Sequence, residues 1–98
     1  MIFSIGNCPV CGDFSRVIFA RDRRTRRLFV FCGACGVAWL NPADADRVDT
    51  VLSCKDVAPD GIELPTKSDI VEAGLDQFTD AEYGEGEWWI DLGEFMKK

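Results

Sequence analysis

Cys8-Pro9-Val10-Cys11-Gly12, near the start of the chain, is answered by Cys32-Gly33-Ala34-Cys35-Gly36, so the cysteines follow the pattern Cys-x2-Cys-x20-Cys-x2-Cys. A gap of two residues lets one tight turn aim both sulfurs of a pair at a common point, about 2.3 Å from a zinc ion. Gly12 and Gly36 follow the pairs and tolerate the positive φ that turns backbone N–H groups toward thiolates. Four sulfurs from two such turns close a tetrahedral shell. Cys8, Cys11, Cys32 and Cys35 are therefore assigned as the ligands of one structural Zn²⁺. A zinc ion with no open position does not activate water, and the chain contains no histidine. His-containing metal sites and His-dependent acid–base chemistry are thereby excluded, and the chain is expected not to be an enzyme.

Between the cysteine pairs, Arg16-Val17-Ile18-Phe19-Ala20 and Leu28-Phe29-Val30-Phe31 are β-branched and aromatic runs separated by Arg21-Asp22-Arg23-Arg24-Thr25-Arg26. They predict a hairpin with a charged tip. Val37-Ala38-Trp39-Leu40 predicts a short third strand. Residues 6–40 resemble a zinc ribbon, and their knuckles are more distantly similar to those of rubredoxins. The resemblance implies about three antiparallel strands held by a structural metal. Iron in the same shell would make a rubredoxin-like electron carrier. Against that alternative, the second knuckle lacks the Pro usual in rubredoxins, and the long charged hairpin is unlike a compact redox shell. A thioredoxin-like role for one Cys-x-x-Cys pair is weaker again, because the duplicated pair explains both.

Beyond residue 40, Asn41-Pro42 with Asp44 carries helix-start signals, namely a capping side chain, Pro at the first position and an early acid. Ala45, Val48 and Leu52 then fall on one helical face. Pro59-Asp60-Gly61 marks a loop. Pro65-Thr66 opens a second helix with Ile70, Val71, Gly74, Leu75 and Phe78 on one side and Asp69, Glu72 and Asp76 elsewhere. After a turn at Gly84-Glu85-Gly86-Glu87, the run Trp88-Trp89-Ile90-Asp91-Leu92 alternates as a half-buried strand. The expected fold is α+β: an N-terminal ribbon over 1–40 and, packed on it, an acidic extension over 41–98 with one or two helices and a C-terminal strand.

With 98 residues, 47% of them apolar and seven Phe, three Trp and one Tyr among them, the chain can own a modest core, which a metal staple would reinforce. The first residues show no charged leader with a long apolar run, and no stretch reaches the ~20 apolar residues of a membrane span, so a cytoplasmic setting without membrane contact is expected. In reducing cytosol paired cysteines are metal ligands more often than disulfides. Five cysteines then make a four-ligand site plus one bystander, Cys54.

Net charge is −6, unevenly spread: residues 1–47 hold seven Arg and four Asp, whereas residues 48–98 hold four Lys and thirteen acids. A negative field of this kind opposes nucleic-acid binding at long range. Two surfaces are candidates for a partner. Asp76, Asp80, Glu82, Glu85 and Glu87, with Trp89 as an aromatic anchor, would suit another protein with a basic surface. In size and charge the chain is similar to small inhibitor or immunity proteins. Arg21, Arg23, Arg24, Arg26 and Arg27 at the hairpin tip would instead suit a phosphate backbone. The bland readings are a solvated acidic face and a solvated turn whose arginines pair with the acidic half.

Overall fold

The computed structural model describes residues 2–10, 12–33, 35–45 and 47–83; of 12–15, Thr50 and Tyr83 it describes the backbone alone. These residues form a mostly antiparallel sheet with two short helices, a mixed α+β arrangement. The strands are β1 (Ile2–Cys8), β2 (Gly12–Asp22), β3 (Leu28–Cys32), β4 (Val37–Trp39), β5 (Leu52–Ser53), β6 (Ile62–Glu63) and β7 (Ala81–Tyr83). The sheet order is β5-β4-β3-β2-β1-β7, with β6 also pairing with β2. Strand β2 is the spine. One edge pairs with β3 from Val17 to Arg21; the other pairs with β1 and then, at Arg21 and Asp22, with β6. Strands from both halves of the chain thus share one sheet.

Both faces of that sheet are covered, which explains why residues 17–20 of β2 and 28–31 of β3 are continuously apolar instead of alternating with polar residues. Side chains point to opposite faces in turn. Ile18, Ala20, Phe29, Phe31 and Ala38 join Ile2 on one face, beneath Cys54, Ala58 and Ile62. Val17, Phe19, Val30, Cys32 and Trp39 join Phe3 and Cys8 on the other, beneath Ile70, with Ala45, Val51, Leu75 and Phe78 packed around them. Phe19, Phe29, Phe31 and Trp39 are at most 1% exposed, and burying each such side chain contributes about 1.5–3 kcal/mol. Trp39 also needs a partner for its indole N–H, and Nε1 donates to the Arg47 carbonyl at 2.8 Å.

The covering segments are short. Helix α1 (Cys54–Val57) is a single turn, and α2 (Lys67–Glu72) is six residues long. The helix opens at Pro65-Thr66 as the sequence predicts, and Thr66 caps it. Its hydroxyl accepts from the Asp69 N–H, and the Asp69 carboxylate accepts from the Thr66 N–H, satisfying two orphan donors reciprocally. Gly74, at φ 74°, ends the helix in the left-handed conformation that glycine adopts without strain. Ile70 is buried as expected, whereas Val71 is 48% exposed and lies off the packed face.

Residues 41–52 depart from the expected helix. Asn41 does cap, accepting from the Ala43 N–H at 3.0 Å, but the result is one 3₁₀ turn over Pro42–Asp44, followed by another over Val48–Thr50. Two demands compete with a continuous helix here: the Arg47 carbonyl is taken by Trp39, and Leu52 pairs with Ala38 at the edge of β4. Val48 and Leu52 are accordingly exposed. The expected strand at 88–92 lies outside the described residues. No helix among the described residues is long and apolar enough to cross a membrane.

Candidate metal centre

Each knuckle sits where two neighbouring strands meet. Cys8 closes β1 just before the Pro9-Val10 turn, Cys32 closes β3, and Cys35 lies in the turn leading to β4. In the second turn the Gly36 N–H donates to the Cys32 carbonyl at 3.0 Å, and Gly36 adopts φ 79°, the positive value its position calls for. The Gly36 carbonyl in turn accepts from the Cys54 N–H at 2.7 Å, tying the knuckle to α1.

Cys8 reaches the metal face through two irregularities in β1. Phe3 and Cys8 are five residues apart and would face opposite sides of an unbroken strand. The register with β2 shifts between Ser4 and Gly6 and again between Asn7 and Cys8, and Cys8 packs in the same cluster as Phe3. The first bulge is built in: Gly6 takes φ 132°, and its N–H donates to the buried Ser4 hydroxyl at 3.1 Å. Bulges of this kind re-aim side chains beside functional sites. Strand β1 is not among the elements that the sequence signals predict.

The sulfurs of Cys8, Cys32 and Cys35 lie within 4.8 Å of one another. Those of Cys8 and Cys35, from different knuckles, are 3.7 Å apart. Four sulfurs placed tetrahedrally about 2.3 Å from one centre are about 3.8 Å apart, so this separation matches the edge of a thiolate cage. The donor set therefore fits a thiophilic metal ion. Cys8 and Cys32 are buried, at 2% and 0% exposure, while Cys35 is exposed. Cys11 lies outside the described residues.

Cys54 is on the other face of the sheet and is 1% exposed. Burial pushes its thiol pKa up to about 12, because an apolar setting disfavours the thiolate. It lies apart from the three-cysteine cluster.

The arginine tip lies at the far end of β2. Arg21 donates to Glu63 through both Nε and Nη2, at 3.1 and 2.9 Å, and to Asp69 through Nη1 at 3.1 Å. Arg26 also reaches Glu63, at 3.3 Å, and Arg24 lies 4.0 Å from Asp60. Arg23 is half-buried, and its backbone N–H donates to Gly61. Arg27 is exposed. Pairing with acids of the second half thus engages much of the cluster. Asp69, off the apolar side of α2 as expected, is one of the partners. Its carboxyl pKa is lowered, first by the hydrogen bond from the Thr66 backbone and then by the Thr66 hydroxyl and the nearby Arg21 and Arg26 charges.

Of the acidic candidates, Asp76, Asp80 and Glu82 are exposed. Asp80 pairs with Arg16 at 3.2 Å, and Glu82 lies 3.9 Å from Lys67. Glu85, Glu87 and Trp89 lie outside the described residues. Comparison with family models, curated proteins and solved structures finds no match to this chain.

Proposed function

We propose that this chain is a non-enzymatic protein-binding module framed by a structural Zn²⁺ site of the zinc-ribbon type, with Cys8, Cys11, Cys32 and Cys35 as ligands. The observation that carries the metal is the 3.7 Å spacing of the Cys8 and Cys35 sulfurs, two residues brought together from separate turns. When bound, the ion supplies a cross-link between the β1–β2 and β3–β4 turns and no reactive coordination position. The binding surface is the acidic one around Asp76, Asp80 and Glu82, and its partner is a protein with a basic surface. Partial neutralisation of the arginine tip within the molecule favours this choice over a phosphate backbone, because a paired guanidinium must break its ion pairs before it can serve a phosphate.

Elemental analysis of the purified protein tests the frame, with one zinc per chain expected. Iron and a red colour would transfer the site to electron transport. Oligonucleotide binding at low salt tests the surface. Weak binding is expected, and tight binding with a steep salt dependence would replace the protein partner with nucleic acid. Reversing Asp76, Asp80 and Glu82 to Lys should slow association with a basic partner captured from the native host.

A further inference from the structure

We propose that the cysteine cluster is also an oxidation site, at which a peroxide converts Cys8 and Cys35 into a disulfide between the two knuckles and thereby expels the metal. The proposal rests on the zinc-site reading above and adds a reaction to it. Two observations carry it. The first is asymmetry of access: Cys35 is exposed, whereas Cys8 and Cys32 are buried. An oxidant arriving from solvent therefore meets one described sulfur of the cluster first. The second is proximity across the turns, since the Cys8 sulfur is 3.7 Å from that of Cys35. A disulfide needs about 2.05 Å, so the two sulfurs need approach by less than about 2 Å for the bond to form.

The chemistry balances with a peroxide as the named oxidant. A bound zinc ion would hold Cys35 as a thiolate, the nucleophilic form. Its sulfur attacks one peroxide oxygen, the O–O bond breaks, and hydroxide leaves, giving a sulfenic acid. The Cys8 thiolate then attacks the Cys35 sulfur. The S–S bond forms, the S–O bond breaks, and a second hydroxide leaves. Two cysteines have lost two electrons, and hydrogen peroxide has become two hydroxides, or two waters after taking up two protons. Cys8 and Cys35, once joined, could no longer serve as thiolate donors, so the residues that remain would hold a zinc ion too weakly to retain it.

Cys54 serves as an internal control, because it is buried on the other face of the sheet. It stays reduced at doses that consume the cluster.

The test treats zinc-loaded full-length protein with hydrogen peroxide, follows metal release with a chromogenic chelator, and maps disulfides by mass spectrometry after alkylation. One zinc released per disulfide formed is expected, with Cys8 linked to Cys35, Cys54 alkylated once the protein is unfolded, and zinc binding restored by a thiol reductant. Retention of zinc and of all thiols under about ten-fold excess peroxide would overturn the proposal. A link confined to one knuckle, Cys32 to Cys35 or Cys8 to Cys11, would overturn the cross-knuckle assignment. A protein that purifies without metal would end the zinc-site reading. Oxidation of the metal-free chain still tests the pairing in that case, and failure to trap Cys8 with Cys35 there would end this one.

Discussion

The two ends of β2 are both turns, and they are held by opposite means. At the tip, a four-residue loop closes on itself: Asp22 and Arg27 share a backbone hydrogen bond, and the Arg26 N–H donates to the Asp22 carbonyl. The buried Asp22 carboxylate accepts from the Arg24 N–H and the Thr25 hydroxyl. This end is stable enough to hold Arg26 at φ 65°, a conformation that costs a non-glycine residue roughly 1–2 kcal/mol. At the knuckle end the turns converge on three sulfurs within 4.8 Å. Side-chain hydrogen bonds to the backbone order one end, and we assign the other to a metal ion. The difference teaches that a long hairpin can be secured separately at each extremity, so that damage at one need not reach the other.

Metal removal should break the comparison most strongly. Structural zinc binding in small modules is worth about 10–16 kcal/mol at neutral pH, comparable to a domain's whole stability. Chelation, or Cys32→Ser, should abolish cooperative unfolding of the knuckle end, as followed by circular dichroism and hydrogen exchange. Amides at the tip should lose protection last. Intact dichroism and unchanged exchange in strong chelator would show that the sheet alone suffices.

Asp22→Ala attacks the other extremity. It removes the acceptor of two turn hydrogen bonds from a residue only 5% exposed and should cost about 1–3 kcal/mol in chemical denaturation, without changing zinc content. A fall in bound zinc would mean that the two ends are coupled through β2.

Cys54 gives a smaller effect whose size depends on the replacement. Cys54→Ala leaves a small void and should cost about 1 kcal/mol. Cys54→Ser places a hydroxyl among Ala38, Ala58 and Ile62 and should cost about 1–3 kcal/mol if it finds no partner. Thermal melts of the two variants give the ordering, and equal melting temperatures would show that the hydroxyl is satisfied.

The mildest effect is on protonation. Because Asp69 titrates lower in the folded chain than its usual value of 3.8, the stability it adds is present above that value and is lost as pH falls through the lower folded pKa. Arg21→Gln removes one nearby positive charge and should raise the Asp69 midpoint slightly in a carboxyl NMR titration. The Thr66 hydrogen bonds, the larger cause, remain. An unmoved midpoint would leave the depression to the helix cap and Arg26.

What the sequence discloses follows from how local each signal is. The β2–β3 hairpin, the third strand and the helix start at Pro65-Thr66 rest on residues within a few positions of one another, and each is present. Gathering Cys8 with Cys32 and Cys35 depends on spacing that survives any detail of the strands between. Strand β1 escaped because its bulge at Gly6 breaks the alternation that advertises a strand. The stretch after Asn41 misled because Ala45, Val48 and Leu52 mimic a helical face. Its course is decided by partners elsewhere, the Trp39 indole and the edge of β4. The acids that pair with Arg21 were visible as acids, but which of them face the tip depends on the loop that brings Glu63 and Asp69 beside β2.

Strand β1 comes first in the chain yet lies inside the sheet, between β2 and β7. Its contacts with β2 join residues fewer than twenty positions apart, as in Ser4 with Ile18, whereas its contacts with β7 join Ile2 to Tyr83. Loop closure makes pairing across such a span slow compared with a hairpin. On a ribosome, β1 through β4 and both knuckles are made before Ala81–Tyr83. The free side of β1 then waits as an open edge, and an early cross-link between the knuckles would keep that edge in register until its last neighbour arrives.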